Sequence, residues 1–234
     1  MLKRLPLIIA LAWVAMVVRA QDEPEYRLEL GAGAGLASYV GDLNGNLLRG
    51  MRPMGMLVAK YKPNPRMAWG ASLGYTPLKG SQRNVTTWYP SAADPTQPLT
   101  IDFQSSVIDF SLRYECHFWA YGNGREYLGA RRLAPFITLG TGLTIASPKG
   151  GKQAVGLQLP IGLGVKYKVG MRLNLAVEWV MHITGTDGID GLSDPYGIES
   201  SGLFKNTDCY GVLGMTLTYD LWTRCKTCHN DRGD

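Results

Sequence analysis

The run Cys225-Lys226-Thr227-Cys228-His229 has the spacing that attaches a c-type haem, two thiols and an imidazole within five residues. Only five residues follow it and no helical stretch surrounds it, so the motif lacks the context needed to bury a haem. Zinc is no better served, because two thiols and one imidazole leave the ion short of its usual four ligands. The simpler chemistry is a disulfide: Cys225 and Cys228 pair with each other, or one is captured by another protein in an oxidising compartment. A second constellation is His182, followed by Asp187, Asp190, Ser193 and Asp194. A water-activating His–Asp pair or a Ser–His arrangement can be drawn there, yet no motif places a nucleophile. The expectation is a hydrogen-bonded rim histidine, with no catalytic, cofactor or metal site and no small-molecule substrate. His117 lacks even the acidic neighbours, and Asn84-Val85-Thr86 is a sequon by coincidence in a chain that reads as bacterial.

The elements that must hold these residues are strands. From Met171 to Thr184 the chain alternates, with Met171, Leu173, Leu175, Val177, Trp179, Met181 and Ile183 on one face and Arg172, Asn174, Ala176, Glu178 and His182 on the other. Such a run exceeds the usual strand of about 5–6 residues and suits a tilted membrane-crossing strand, which needs about 9–11. Val155 to Tyr167 repeats the pattern, with Gly156, Gln158, Gly162, Gly164, Lys166 and Lys168 opposite the apolar set. Pro160 on that second face lacks a donor and predicts a bulge or bend. Near the end, Cys209, Leu213, Met215, Leu217, Tyr219 and Leu221 face away from Asp208, Thr216, Thr218 and Asp220.

Five weaker runs, at about 25–40, 52–61, 67–78, 103–118 and 133–146, bring the count to eight. In 103–118, Ile108, Phe110, Leu112, Tyr114, Cys116 and Phe118 oppose Asp109, Ser111, Arg113, Glu115 and His117. In 52–61 the outward face stays open between Met54, Met56 and Val58 on one side and Leu57, Ala59 and Tyr61 on the other. Cys116 and Cys209 fall among lipid-facing residues at opposite ends of their strands, where a thiol serves as a small apolar filler. The fold class is therefore all-β, an eight-stranded antiparallel transmembrane β-barrel of the outer-membrane type.

The N-terminus agrees. Lys3 and Arg4 precede the apolar run Leu5 to Val18, and small residues lie before Gln21, so 1–20 reads as a secretory signal peptide. Residues 21–222 form the barrel and 223–234 a periplasmic tail bearing cysteines. Three of the 24 basic residues lie in the leader, which leaves 21 against 19 acidic ones and a net charge of only +2. No concentrated basic face points to nucleic acid.

Connection lengths alternate as outer-membrane barrels require, with external loops at 41–51, 79–102, 147–153 and 185–206 and inner turns at Pro63-Asn64-Pro65, 119–132 and Val169-Gly170. The 119–132 turn is long for its side, and both termini fall in the periplasm. A barrel of eight strands is filled by side chains. Arg27, Glu29, Asp109, Arg113, Glu115, Lys166, Arg172 and Glu178 point inward in this register and are expected to pair there in place of an apolar core. Trp69, Trp119, Trp179 and Trp222 lie on or near outward faces, as an interfacial girdle places them.

Several stretches resemble the PorG-like outer-membrane proteins, the small barrel family of the type IX secretion system. They are Ala37-Ser38-Tyr39-Val40-Gly41-Asp42-Leu43-Asn44, Tyr61 to Arg66, Leu159 to Tyr167, Thr186 to Asp190, Ser193 to Gly197 and Thr216 to Tyr219. The resemblance implies a non-enzymatic component of a secretion machine in the bacterial outer membrane, surrounded by outer-membrane lipids. It also implies contact with a periplasmic ring formed by a lipoprotein and its partner. On that reading Arg125, Arg131 and Arg132 of the long inner turn, together with Cys225 and Cys228 of the tail, are the partner-binding and disulfide candidates. The alternative is a stand-alone small barrel, either structural or a rim hydrolase acting on lipid or peptide.

Overall fold

The computed structural model describes residues 26–40, 50–81, 102–123, 130–186, 188–189 and 208–223. Eight antiparallel strands close into one barrel in chain order: β1 (Tyr26–Val40), β2 (Arg52–Asn64), β3 (Met67–Ser81), β4 (Asp102–His117), β5 (Leu133–Pro148), β6 (Ala154–Lys168), β7 (Leu173–Thr184) and β8 (Cys209–Thr223). The seam joins β1 to β8 from Tyr26↔Thr223 to Val40↔Cys209, so no sheet edge is left unpaired. All eight expected strands are present. The connections after β1, β3, β5 and β7 leave one end, here called the loop end, and those after β2, β4 and β6 leave the other, the turn end.

Period-two patterning becomes the two surfaces of this wall. Along β6 the outward Leu157, Ile161 and Leu163 are exposed while Gln158, Lys166 and Lys168 are buried, and β4 alternates in the same way between Ile108, Phe110 and Leu112 and Asp109, Ser111 and Arg113. No helix among the described residues is long and apolar enough to cross a membrane. The strands carry the apolar exterior instead, and hydrocarbon is the solvent that such an exterior requires.

Four details differ from the reading of the sequence. Strand β2 extends to Asn64, with Leu57 and Tyr61 outward and Met54, Val58, Lys60 and Lys62 inward, which settles the open face. The turn falls at Pro65–Arg66, where Asn64 Oδ1 accepts from the Arg66 N–H at 2.9 Å, and the register slips between Tyr61 and Asn64. Pro160 makes no bulge. The β5–β6 ladder skips the positions opposite Gly140 and Thr141 and resumes in the same register, so the missing donor interrupts pairing without shifting it. Finally, β7 begins at Leu173, which leaves Arg172 exposed in the turn and outside the lumen, while Arg27 is part-buried at the turn end of β1, on the face of Glu29.

Inward glycines make the tight curvature possible. A Cβ on Gly31 would collide with the Leu217 carbonyl and lie 2.6 Å from the Thr218 Cα. The inward row Lys60, Gly70, Arg113, Gly140 alternates long and absent side chains, and a Cβ on Gly140 would lie 2.9 Å from the Arg113 Cγ.

Candidate functional site

The lumen is the chemically rich part of the molecule, and it is filled in three tiers. At the loop end an apolar plug gathers Tyr39, Met54, Leu78, Phe103, Val107 and Ile189, with Tyr39 and Phe103 meeting edge to face at 4.7 Å. Tyr39 donates to Asp208 Oδ1, and the Ile189 N–H donates to Asp208 Oδ2 at 2.9 Å, so the start of the β7–β8 connection is pinned over this mouth.

Below the plug lies a polar layer that contains His182. Gln158 Oε1 accepts from Tyr210 Oη at 3.0 Å and from His182 Nδ1 at 2.7 Å, and the imidazole stacks on the Tyr210 ring at 4.5 Å with 5° between planes. Because Gln158 Nε2 faces the Phe110 and Leu143 carbonyls, its oxygen is the acceptor and His182 carries its proton on Nδ1. The ring is thus held in a packed stack, as expected of a satisfied histidine. Asp187, Asp190, Ser193 and Asp194 lie outside the described residues.

The third tier, toward the turn end, is ionic. Glu29 on β1 receives Lys62 of β2 at 2.8 Å and Lys166 of β6 at 2.6 Å. Asp220 of β8 receives Lys62 at 2.7 Å and also Lys168, which makes one chain of five charges from Lys166 to Lys168. Two further pairs stand beside it, Lys60–Glu115 at 2.6 Å and Arg113–Glu178 at 3.1 Å. All are buried, and the pairing neutralises charges that hydrocarbon-clad walls could not otherwise tolerate. Of the residues expected inside, Glu29, Asp109, Arg113, Glu115, Lys166 and Glu178 are there. Lys60 and Lys62 escaped notice because Met54, Met56 and Val58 share their face. The signal was the lysines themselves, since the charged face of a barrel strand must be the lumenal one.

The turn end is covered by the long β4–β5 connection. Tyr121 lies over the mouth, its hydroxyl donating to Asn174 Oδ1 at 2.7 Å and its ring 4.8 Å from Lys166 Nζ. Backbone bonds from Tyr121 N–H to Pro65 O (2.9 Å) and from Arg131 N–H to Ala120 O (2.7 Å) fasten the segment to its surroundings. Burial, with Glu29 and Asp220 nearby, pushes the Tyr121 phenol above its ordinary range, so it remains a neutral donor. His117 stacks behind it at 5.7 Å, and neither ring nitrogen has a hydrogen-bond partner among the described residues.

Arg131 and Arg132 are exposed on this covered end, Arg131 lying 4.8 Å from the Trp119 ring and Arg132 donating from Nε to Asn123 O at 3.1 Å. Arg125, Cys225 and Cys228 lie outside the described residues, as do residues 1–25 and 224–234. Cys116 and Cys209 sit half-buried at opposite ends of their strands. The outward aromatics cluster at the turn end, where Tyr61, Trp69, Trp119, Tyr167, Tyr219 and Trp222 are all exposed, whereas Trp179 lies mid-strand opposite Leu163 and Leu213. No cluster of ligands suited to a metal ion occurs among the described residues.

A closed eight-stranded wall, apolar outside and ion-paired within, defines a small transmembrane β-barrel of the outer-membrane type. Residues 4–230 match the family described as a domain of unknown function (DUF6089), and the chain belongs to that family. Among solved structures, neisserial surface protein A (NspA) is similar with a TM-score of 0.51 at 12% identity, over 83% of this chain and 97% of that one. The attachment invasion locus protein Ail of Yersinia pestis gives a TM-score of 0.45 at 10% identity, over 84% of this chain and 99% of its own. No curated protein matches the chain in sequence. The likeness to NspA is one of fold.

Proposed function

We propose that this barrel is a non-enzymatic membrane anchor in a protein secretion machine of the type IX kind. It stands in the bacterial outer membrane after loss of residues 1–20, with its turn end and both termini in the periplasm. There it contacts a ring formed by a lipoprotein and its partner. The observation that carries the reading is the filled lumen: plug, polar layer, ion pairs and Tyr121 cover leave no conduit, so what the protein offers is surface. The resemblance to PorG-like barrels supplies the machine. The exposed Arg131 and Arg132, with Arg125 beside them in sequence and Cys225 and Cys228 in the tail, supply the contact.

The test is a pull-down of tagged protein from gently solubilised native envelopes, with and without reductant, read by mass spectrometry. Recovery of a periplasmic lipoprotein, reduced when Arg131→Ala is combined with Arg132→Ala, supports the anchor. A reductant-sensitive adduct that disappears in Cys225→Ser with Cys228→Ser assigns the tail thiols to the contact. Recovery of the barrel alone overturns the secretion reading and leaves a stand-alone structural barrel.

A further inference from the structure

The geometry points to a built site for one phospholipid on the outer wall, its acyl chain in a trench across β2–β5 and its phosphate on arginines at the turn end. The inference does not depend on the secretion reading. Register aligns three parallel rows of outward residues on these strands. The upper row is bulky, with Leu57, Leu73, Phe110 and Leu143 all exposed. The lower row is aromatic, led by Tyr61, Trp69 and Tyr114, the last two rings meeting at 4.9 Å. Between them run Ala59, Ala71, Leu112 and Thr141, where three short side chains sink the surface. The apolar groove lined by this short row and the aromatic row below it, with Leu28, Leu139 and Leu159 alongside, has a volume of about 730 Å³, within the range of about 300–1,000 Å³ usual for ligand sites.

What separates this from a merely uneven lipid face is the charge at its foot. The turn joining β2 to β3 carries the exposed Arg66, and the connection joining β4 to β5 carries the exposed Arg131 with its guanidinium over Trp119 at 4.8 Å. The aromatic row marks headgroup depth, since Trp and Tyr settle where an apolar body and a polar tip are both satisfied. Arginines just beyond that row therefore meet phosphate, which their planar fork binds in two-point fashion. Among the described residues, every acidic side chain of this end is buried: Glu29, Glu115 and Asp220. Among those residues, none competes for the guanidinium groups.

The experiment reconstitutes the full chain in phosphatidylcholine vesicles doped with a phosphatidylglycerol carrying a diazirine midway along one acyl chain, and maps the photo-adducts by mass spectrometry. A several-fold excess of label on peptides of β2–β5 over those of β7–β8 is expected. Ala71→Leu and, separately, Ala59→Leu fill the trench and remove the excess, while resistance to proteolysis confirms that each variant has folded. Arg66→Ala with Arg131→Ala lowers the excess with the phosphatidylglycerol probe. Label spread evenly around the barrel overturns the site, and so does a chain-to-chain crosslink across β2–β5, which would assign the trench to a second copy. An unchanged excess in the arginine variant overturns the headgroup contact.

Discussion

Single charges in this lumen are held by partner side chains, and that sets the cost of removing one. Glu29→Ala strands Lys166 and leaves Lys62 with Asp220 alone, so a loss of about 3–5 kcal/mol is expected in urea unfolding of the refolded barrel in micelles. Removing both members of the Arg113–Glu178 pair as Arg113→Met with Glu178→Leu is expected to cost less than the sum of the two single changes, since neither member of the pair is then left facing an empty partner. Tyr121 is a neutral case. Tyr121→Phe removes the bond to Asn174 but keeps the ring over Lys166, and a cost of about 1–3 kcal/mol is expected for the amide left short of a partner. A parallel change to His182→Phe preserves the stack on Tyr210 and loses only the bond to Gln158.

At the scale of elements, glycine placement decides whether the seam closes. Gly31→Val pushes two methyl groups into the β8 backbone at Leu217 and Thr218, and overpacking of about 1–3 kcal/mol or more falls directly on the β1–β8 ladder. Loss of amide protection along β1 and β8, with β3–β4 protected as before, is the expected hydrogen-exchange pattern. Strand existence and facing were legible in the sequence because a period of two is a local property, and β4, β6, β7 and β8 alternate almost without error. Strand β2 was ambiguous because methionines and lysines share its inner face, and hydropathy alone does not rank Met54 against Leu57. Arg172 was misplaced for a different reason: alternation in the sequence extends to the N-terminal side of Leu173, where the strand begins. The cover formed by Tyr121 had no period to betray it, since its place is set by backbone bonds to Pro65 and Arg131.

For the whole molecule, closure at both mouths predicts an electrically silent protein. Planar bilayers containing the wild type are expected to show no sustained pore, and Tyr121→Ala alone stays silent because the Tyr39–Phe103 plug remains. Steady conductance in either would contradict the filled lumen. The pairings themselves were beyond the reach of sequence, since partners such as Glu29 and Lys166 lie 137 residues apart and meet only across the finished bore. That separation has a consequence for biogenesis. Of the ion pairs described, only Glu29–Lys62 joins neighbouring strands; the others link β1 to β6, β2 to β4, β2 to β8, β4 to β7 and β6 to β8. A half-built sheet would therefore present naked ammonium and carboxylate groups to oil on its concave side. Hairpins cannot enter the bilayer one at a time. The nascent wall has to curl with its inner surface sheltered, and the meeting of first and last strands is the moment at which the membrane can safely take it.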